Sequence, residues 1–128
     1  MRSWPELRRE GRKLAKRQTD AQFMLGDLLL DLTARLDTPP AHQAALGHFA
    51  DALNISRDTL NRYCRVSAAW PQAKRNKDVS WTVHAILASH PRRFDLIKHP
   101  PPPREKQWTC TEARAVMDSQ RQVGEPSA

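Results

Sequence analysis

Apolar residues recur along this chain at three- and four-residue intervals, which is the spacing of one helix face, and nowhere do they alternate for long with the period of a strand. The clearest row is Leu25, Leu28, Leu29, Leu32 and Leu36, with Asp27, Asp31 and Arg35 as a polar row at four-residue spacing. Thr19 and Gln22 have the spacing of a capping box, so this helix is expected to begin at Thr19. A separate helix is expected before it, from Trp4-Pro5-Glu6 to about Arg17. It carries Trp4, Leu7, Leu14 and Ala15 near one face and Arg8, Arg9, Arg12, Lys13, Lys16 and Arg17 over the rest. A third helix covers roughly residues 41–53, and a fourth follows Ser56 and runs to about Ala69, where Trp70-Pro71 stops it. The polar stretch 72–78 reads as a loop. Ser80 caps a short helix to about Ser89, which buries Trp81, Val83 and Ile86, and Pro91 opens another turn or two with Phe94, Leu96 and Ile97. Pro100 to Pro103 form a stiff extended spacer. Thr111-Glu112 starts a last helix to about Gln122, and residues 124–128 are expected to fray. The expected fold is all-α, a compact bundle of five to seven helices without a sheet.

Composition narrows this further. The chain has 128 residues, of which 39% are hydrophobic, with only 4 Gly. That suits one small helical domain and not a many-stranded barrel. The most apolar run, Phe23 to Leu32, is interrupted by Gly26, Asp27 and Asp31 and is too short to span a membrane. No apolar segment follows the basic start in the manner of a secretory signal, so a cytoplasmic, nucleoid-associated location is expected. The formal net charge is +7. It is unevenly spread: residues 1–18 carry net +5, residues 19–53 carry −4, residues 54–77 carry +5, and residues 78–128 carry +1. Two basic blocks therefore hold the excess, and blocks of that kind attract an anionic partner.

The second block overlaps a motif. Over the twenty residues Leu46 to Arg65, Ala50 stands at the fifth place, where a crossing helix demands a small side chain. Asn54 stands at the ninth, where the turn needs a left-handed residue and Asn is the best-tolerated substitute for Gly. Phe49, Leu53, Ile55, Leu60 and Tyr63 fill the inward positions, and Ser56 caps the second helix. This segment resembles the helix-turn-helix DNA-binding proteins, in particular small repressors of phages and plasmids. The resemblance covers about 20 residues closely, and it implies that the helix from Ser56 to about Trp70 is a recognition helix lying in the major groove. Carried over position by position, it implies that Arg57, Asn61, Arg62 and Arg65 contact bases. Arg bonds bidentately to guanine and Asn to adenine, so the chemistry agrees. Asp58 would orient a neighbouring Arg. Ser56 and Thr59, with Lys74, Arg75 and Lys77 of the following loop and Lys13 and Arg17 of the first helix, are the expected contacts to the DNA backbone.

The organisation expected is a basic N-terminal helix over residues 1–18, a helix-turn-helix domain over 19–90 with its motif at 46–65, and a C-terminal helical segment over 91–128. Arg92, Arg93, Lys98, Arg104 and Lys106 surround the proline spacer, an arrangement similar to the two-part immunity repressors of actinobacterial phages. The competing account of the same basic faces is plain solvation.

Other chemistries find little support. His42, His48, His84, His90 and His99 are scattered, and no two of them, nor either cysteine, share metal-ligand spacing on one helix. Cys64 and Cys110 cannot make a disulfide framework. No phosphate-binding glycine loop, activated nucleophile or carboxylate pair stands out, so neither an enzyme nor a cofactor is expected. Trp4, Trp70, Trp81 and Trp108 are expected to anchor the core. The expected function is sequence-specific binding of double-stranded DNA as a transcriptional repressor. An architectural or recombination accessory factor, and a basic module docking on an acidic protein, are the alternatives. The sequence is compatible with both a homodimer on a two-fold symmetric site and a monomer with two contact regions, and no apolar face beyond the core stands out for a dimer.

Overall fold

The computed structural model of the chain describes residues 2–99 and 108–124, with side chains as far as Arg121. The proline spacer 100–103, Arg104, Lys106 and the last four residues lie outside them. Six α-helices and one 3-10 turn at Gln72–Lys74 account for the elements, and no strand occurs among the described residues. The fold is all-α, as the periodicity predicts.

The break expected at Thr19 does not exist. One helix, α1, runs from Trp4 to Ala34, 31 residues and about 46 Å long. Its capping box is at Ser3, whose hydroxyl accepts from the Glu6 amide while the Glu6 carboxylate accepts from the Ser3 amide, both at 3.3 Å. Between Lys16 and Leu25 there is neither Pro nor Gly, so nothing stops the helix. The buried Thr19 hydroxyl instead accepts from the Trp81 amide at 3.1 Å, satisfying an orphan donor at the start of another helix.

Helix α2 is Pro39–Leu53, with Thr38 as its N-cap and two prolines in the first turn. Helix α3 is Arg57–Ala69. Helices α4, Trp81–Leu87, and α5, Arg93–Leu96, are short, and α6 is Cys110–Gly124. The start of α6 lies slightly before the expected Thr111, because Thr109 caps it: its hydroxyl accepts from the Glu112 amide, and the Glu112 carboxylate accepts from the Thr109 amide.

Two apolar clusters hold these elements. The smaller joins Leu29 of α1, Leu46 of α2 and Leu60 of α3, with Phe49, Ala50, Ile55, Tyr63 and Cys64 packed on it. The larger gathers Phe23, Val66, Trp70, Val79, Trp81, Leu87, Ile97 and Trp108. Helix α1 runs antiparallel to α3, so that Leu29 meets Leu60 while Phe23 reaches Val66 and Trp70. The two helices approach closely at Gly26. A Cβ there would collide with the Ser67 hydroxyl and the Tyr63 carbonyl, so only glycine allows the crossing. Ser67 itself donates to the Phe23 carbonyl at 3.3 Å.

Several expected core positions differ. Leu28 and Leu53 are exposed, the first because it lies off the α3-facing side of α1 and the second because it sits at the end of α2. Trp4 is exposed too, unlike the other three tryptophans, because residues 2–18 extend past the body of the molecule. Among the described residues, no helix is long and apolar enough to cross a membrane.

Candidate nucleic-acid interface

The α2–α3 connection follows from three residues. Asn54 closes α2 in the left-handed region, with φ 55° and ψ 41°, and is the only non-glycine with positive φ among the described residues. A short side chain that tolerates this conformation is needed there. The Ile55 amide then donates back to the Ala50 carbonyl at 3.1 Å, and small Ala50 packs into the α1–α2–α3 cluster. Ser56 caps α3: its hydroxyl accepts from the Thr59 amide at 3.1 Å and donates to the Thr59 hydroxyl at 2.7 Å. These bonds fix the first turn of α3 and present both hydroxyls at one rim.

Leu60, Val66 and Ser67 turn α3 inward. Its exposed residues are Arg57, Asp58, Arg62, Arg65 and Ala68, with Asn61 half-buried in the same row. Four of the five exposed positions are charged, and the fifth is the smallest apolar side chain. Among the described residues no ion pair engages Arg57, Arg62 or Arg65. Two of these arginines are nevertheless positioned. The Arg57 guanidinium lies against Gly47 of α2, where any Cβ would meet its Nη2. The Arg62 guanidinium lies 5.3 Å from the centre of the Trp81 ring. Arg62 thus leans toward α4 at the edge of the face, whereas Asn61 and Arg65 occupy its middle. Between the end of α2 and the start of α3 an open groove is lined by Gly47, His48, Asp51, Asn54 and Arg57.

The expected backbone contacts divide. Lys74 and Lys77 are exposed, with the Lys74 ammonium 5.9 Å from the centre of the Phe94 ring. Arg75 must be removed from the set. Its side chain is only 11% exposed and donates to both carboxylate oxygens of Asp27, at 2.9 and 2.7 Å, and to the Trp70 carbonyl at 2.7 Å. The guanidinium also stacks over Phe23, 4.3 Å from the ring centre. The hydrogen bond from Arg75 holds the Asp27 carboxyl below the usual carboxylate range against the opposing effect of burial. Asp27, expected to face outward, is therefore half of an interior tie between α1 and the loop after α3.

Lys13 and Arg17 are exposed, but they do not adjoin the start of α3. Because α1 and α3 are antiparallel, Arg17 lies twelve residues from Leu29, the residue level with Leu60, or about 18 Å along α1. The first basic block therefore lies beyond the C-terminal end of α3. In the C-terminal part, Arg93 is also tied to the interior. Its Nε donates to the Ala69 carbonyl at 2.9 Å, which sets a cation at the end of α3. Arg92 and Lys98 remain exposed. Sequence reasoning missed the roles of Gly47 and Trp81, since neither bears a periodic relation to the arginine that it supports.

The buried imidazole of His84 accepts from the Asn76 amide at Nε2, 3.2 Å, while Nδ1 faces the Ser80 carbonyl at 2.9 Å. Burial lowers its pKa, and the role is structural. Burial likewise raises the pKa of the Cys64 thiol, as suits a packing residue rather than a nucleophile. Among the described residues no group of His, Cys, Asp and Glu could hold a metal ion.

Residues 70–128 are similar to a protein family of unknown function, DUF6192. No curated protein and no solved structure matches the chain. The matched segment opens at Trp70, so it takes in α4, α5 and α6, while α2, its turn and the whole of α3 lie ahead of it.

Proposed function

We propose that the chain is a sequence-specific double-stranded DNA-binding protein, a transcriptional repressor of the phage or plasmid type, that lays α3 in the major groove. The observation that carries this reading is the outward face of α3, set behind a left-handed Asn54 turn and bearing three arginines without ion pairs among the described residues. Arg57, Arg62 and Arg65 suit guanine edges, and Asn61 suits adenine. The Ser56 and Thr59 hydroxyls stand at the start of the helix, where phosphate contacts fix register. Lys74 and Lys77 extend the positive surface past the other end of α3, and Lys13 and Arg17 reach DNA only where the duplex continues in that direction. Arg75 takes no part.

Fluorescence anisotropy of a labelled duplex tests this. A protein neutralising about six phosphates loses roughly a thousandfold in affinity between about 50 and about 200 mM salt. A chain that binds no duplex at the lower salt contradicts the reading and favours an acidic protein as the partner of the basic faces.

A further inference from the structure

Six large hydrophobic side chains are exposed among the described residues, and five of them, Trp4, Leu7, Leu14, Met24 and Leu28, project from α1, with 46% to 70% of their surface open. Scattered apolar residues on a surface are ordinary, but five along one helix form a patch. Four of them, Trp4, Leu7, Leu14 and Leu28, share an ordered spacing, and Met24 lies beside it. From Trp4 the steps of three and four residues run through Leu7, Gly11, Leu14, Gln18, Ala21 and Leu25 to Leu28, which is the heptad repeat of a two-stranded coiled coil. This stripe is distinct from the side of α1 that packs on the body, where Thr19, Phe23, Gly26 and Leu29 are buried.

We propose that the stripe is covered by the same stripe of a second copy, running antiparallel, so that the protein is a homodimer joined through α1. The repeat is unchanged when reversed about Lys16. Trp4 then faces Leu28 of the other copy, Leu7 faces Leu25, Gly11 faces Ala21, and Leu14 faces Gln18, each pair lying equally far from Lys16. Large side chains oppose large ones near the ends. Small ones oppose each other at Gly11 and Ala21, where the backbones can come close.

Charge selects this direction. Residues 1–13 carry net +3, and residues 19–31 carry Asp20, Asp27 and Asp31 with no cation. Antiparallel pairing lays the first stretch beside the second, where Asp20 is exposed with no ion pair among the described residues, Asp31 is exposed and pairs with Arg35 of its own helix, and Asp27 is matched by Arg75. Parallel pairing would lay the two +5 segments of residues 1–18 side by side. The overlap from Trp4 to Leu28 extends about 36 Å. It also gives residues before Thr19 the packing they lack within one chain, and an isolated helix of about 15 residues is marginal in water without such packing.

Sedimentation of the full chain without DNA tests the dimer separately from any reading of bases. A concentration-dependent dimer is expected, and Leu14→Glu should weaken it roughly 100-fold, since the change introduces a charge at two layers of the seam. Ser119→Glu, exposed on α6 and away from α1, should leave it intact. Register is read by disulfide formation in chains whose Cys64 and Cys110 are replaced by Ala: a mixture of Trp4→Cys and Leu28→Cys chains should cross-link, and either alone should not. A chain that stays monomeric throughout, a dimer indifferent to Leu14→Glu, or cross-linking of a single variant with itself would overturn the proposal. So would a monomer that co-sediments with phosphatidylglycerol vesicles, which would assign the stripe to a lipid surface.

Discussion

His84 is a titratable residue that is buried and hydrogen-bonded within the fold. The Asn76 amide donates to Nε2, so that nitrogen carries no proton, and Nδ1 donates to the Ser80 carbonyl. Protonating Nε2 would set two donors against each other in a buried site. The folded state therefore favours the neutral ring, with a pKa below the ordinary 6.5. As pH falls through about 6.5 the unfolded chain takes up a proton that the folded chain refuses, so stability present above that pH is lost progressively below it. Thermal unfolding should show a lower midpoint at about pH 5.5 than at about pH 7.5. His84→Gln should be less stable at neutral pH and lose less on acidification; an equal loss in both proteins would contradict this account. Single residues were legible where a local rule governs them. Asn54 and Ser56 answer to backbone conformation and capping, which neighbours in sequence impose. Arg75 answers to Asp27, 48 residues away, and no local pattern distinguishes it from an exposed arginine.

Helices were legible by period and less so by their ends. Helices α2, α3 and α4 lie close to where spacing and caps place them, because Pro, Ser and the left-handed Asn54 mark their limits within a few residues. Helix α1 misled because Thr19 and Gln22 have the form of a capping box, while the donor that Thr19 satisfies belongs to Trp81. A cap motif without a helix breaker before it is weak evidence for a helix start. The α2–α3 turn carries its own prediction. Asn54→Gly should change stability little, whereas Asn54→Val should cost about 1–2 kcal/mol, because a β-branched residue resists the left-handed conformation. Urea unfolding measures both, and a tolerated Val would mean that the turn is not held as described.

At the scale of the whole molecule, the structure rearranges the charge pattern of the sequence. The two basic blocks lie on different elements: one on α3 and the loop after it, and the other along α1 beyond the C-terminal end of α3. Arg75 and Arg93 are taken up by internal bonds, and the exposed positive charge on α3 and the loop after it rests on Arg57, Arg62, Arg65, Lys74 and Lys77. The same basic segment that α1 exposes also bears the heptad stripe. A dimer through that stripe would relate two copies of α3 by a two-fold axis and call for a DNA site with matching symmetry. The central claim is that the outward face of α3 reads sequence. Selection of bound duplexes from a random pool tests it most directly, with the native chain and the folded double variant Asn61→Ala/Arg65→Ala compared side by side. The native chain should enrich one motif, and the variant should lose preference at defined base pairs within it while keeping weak, salt-sensitive binding. Enrichment of no motif, or of the same motif by both proteins, would contradict the account.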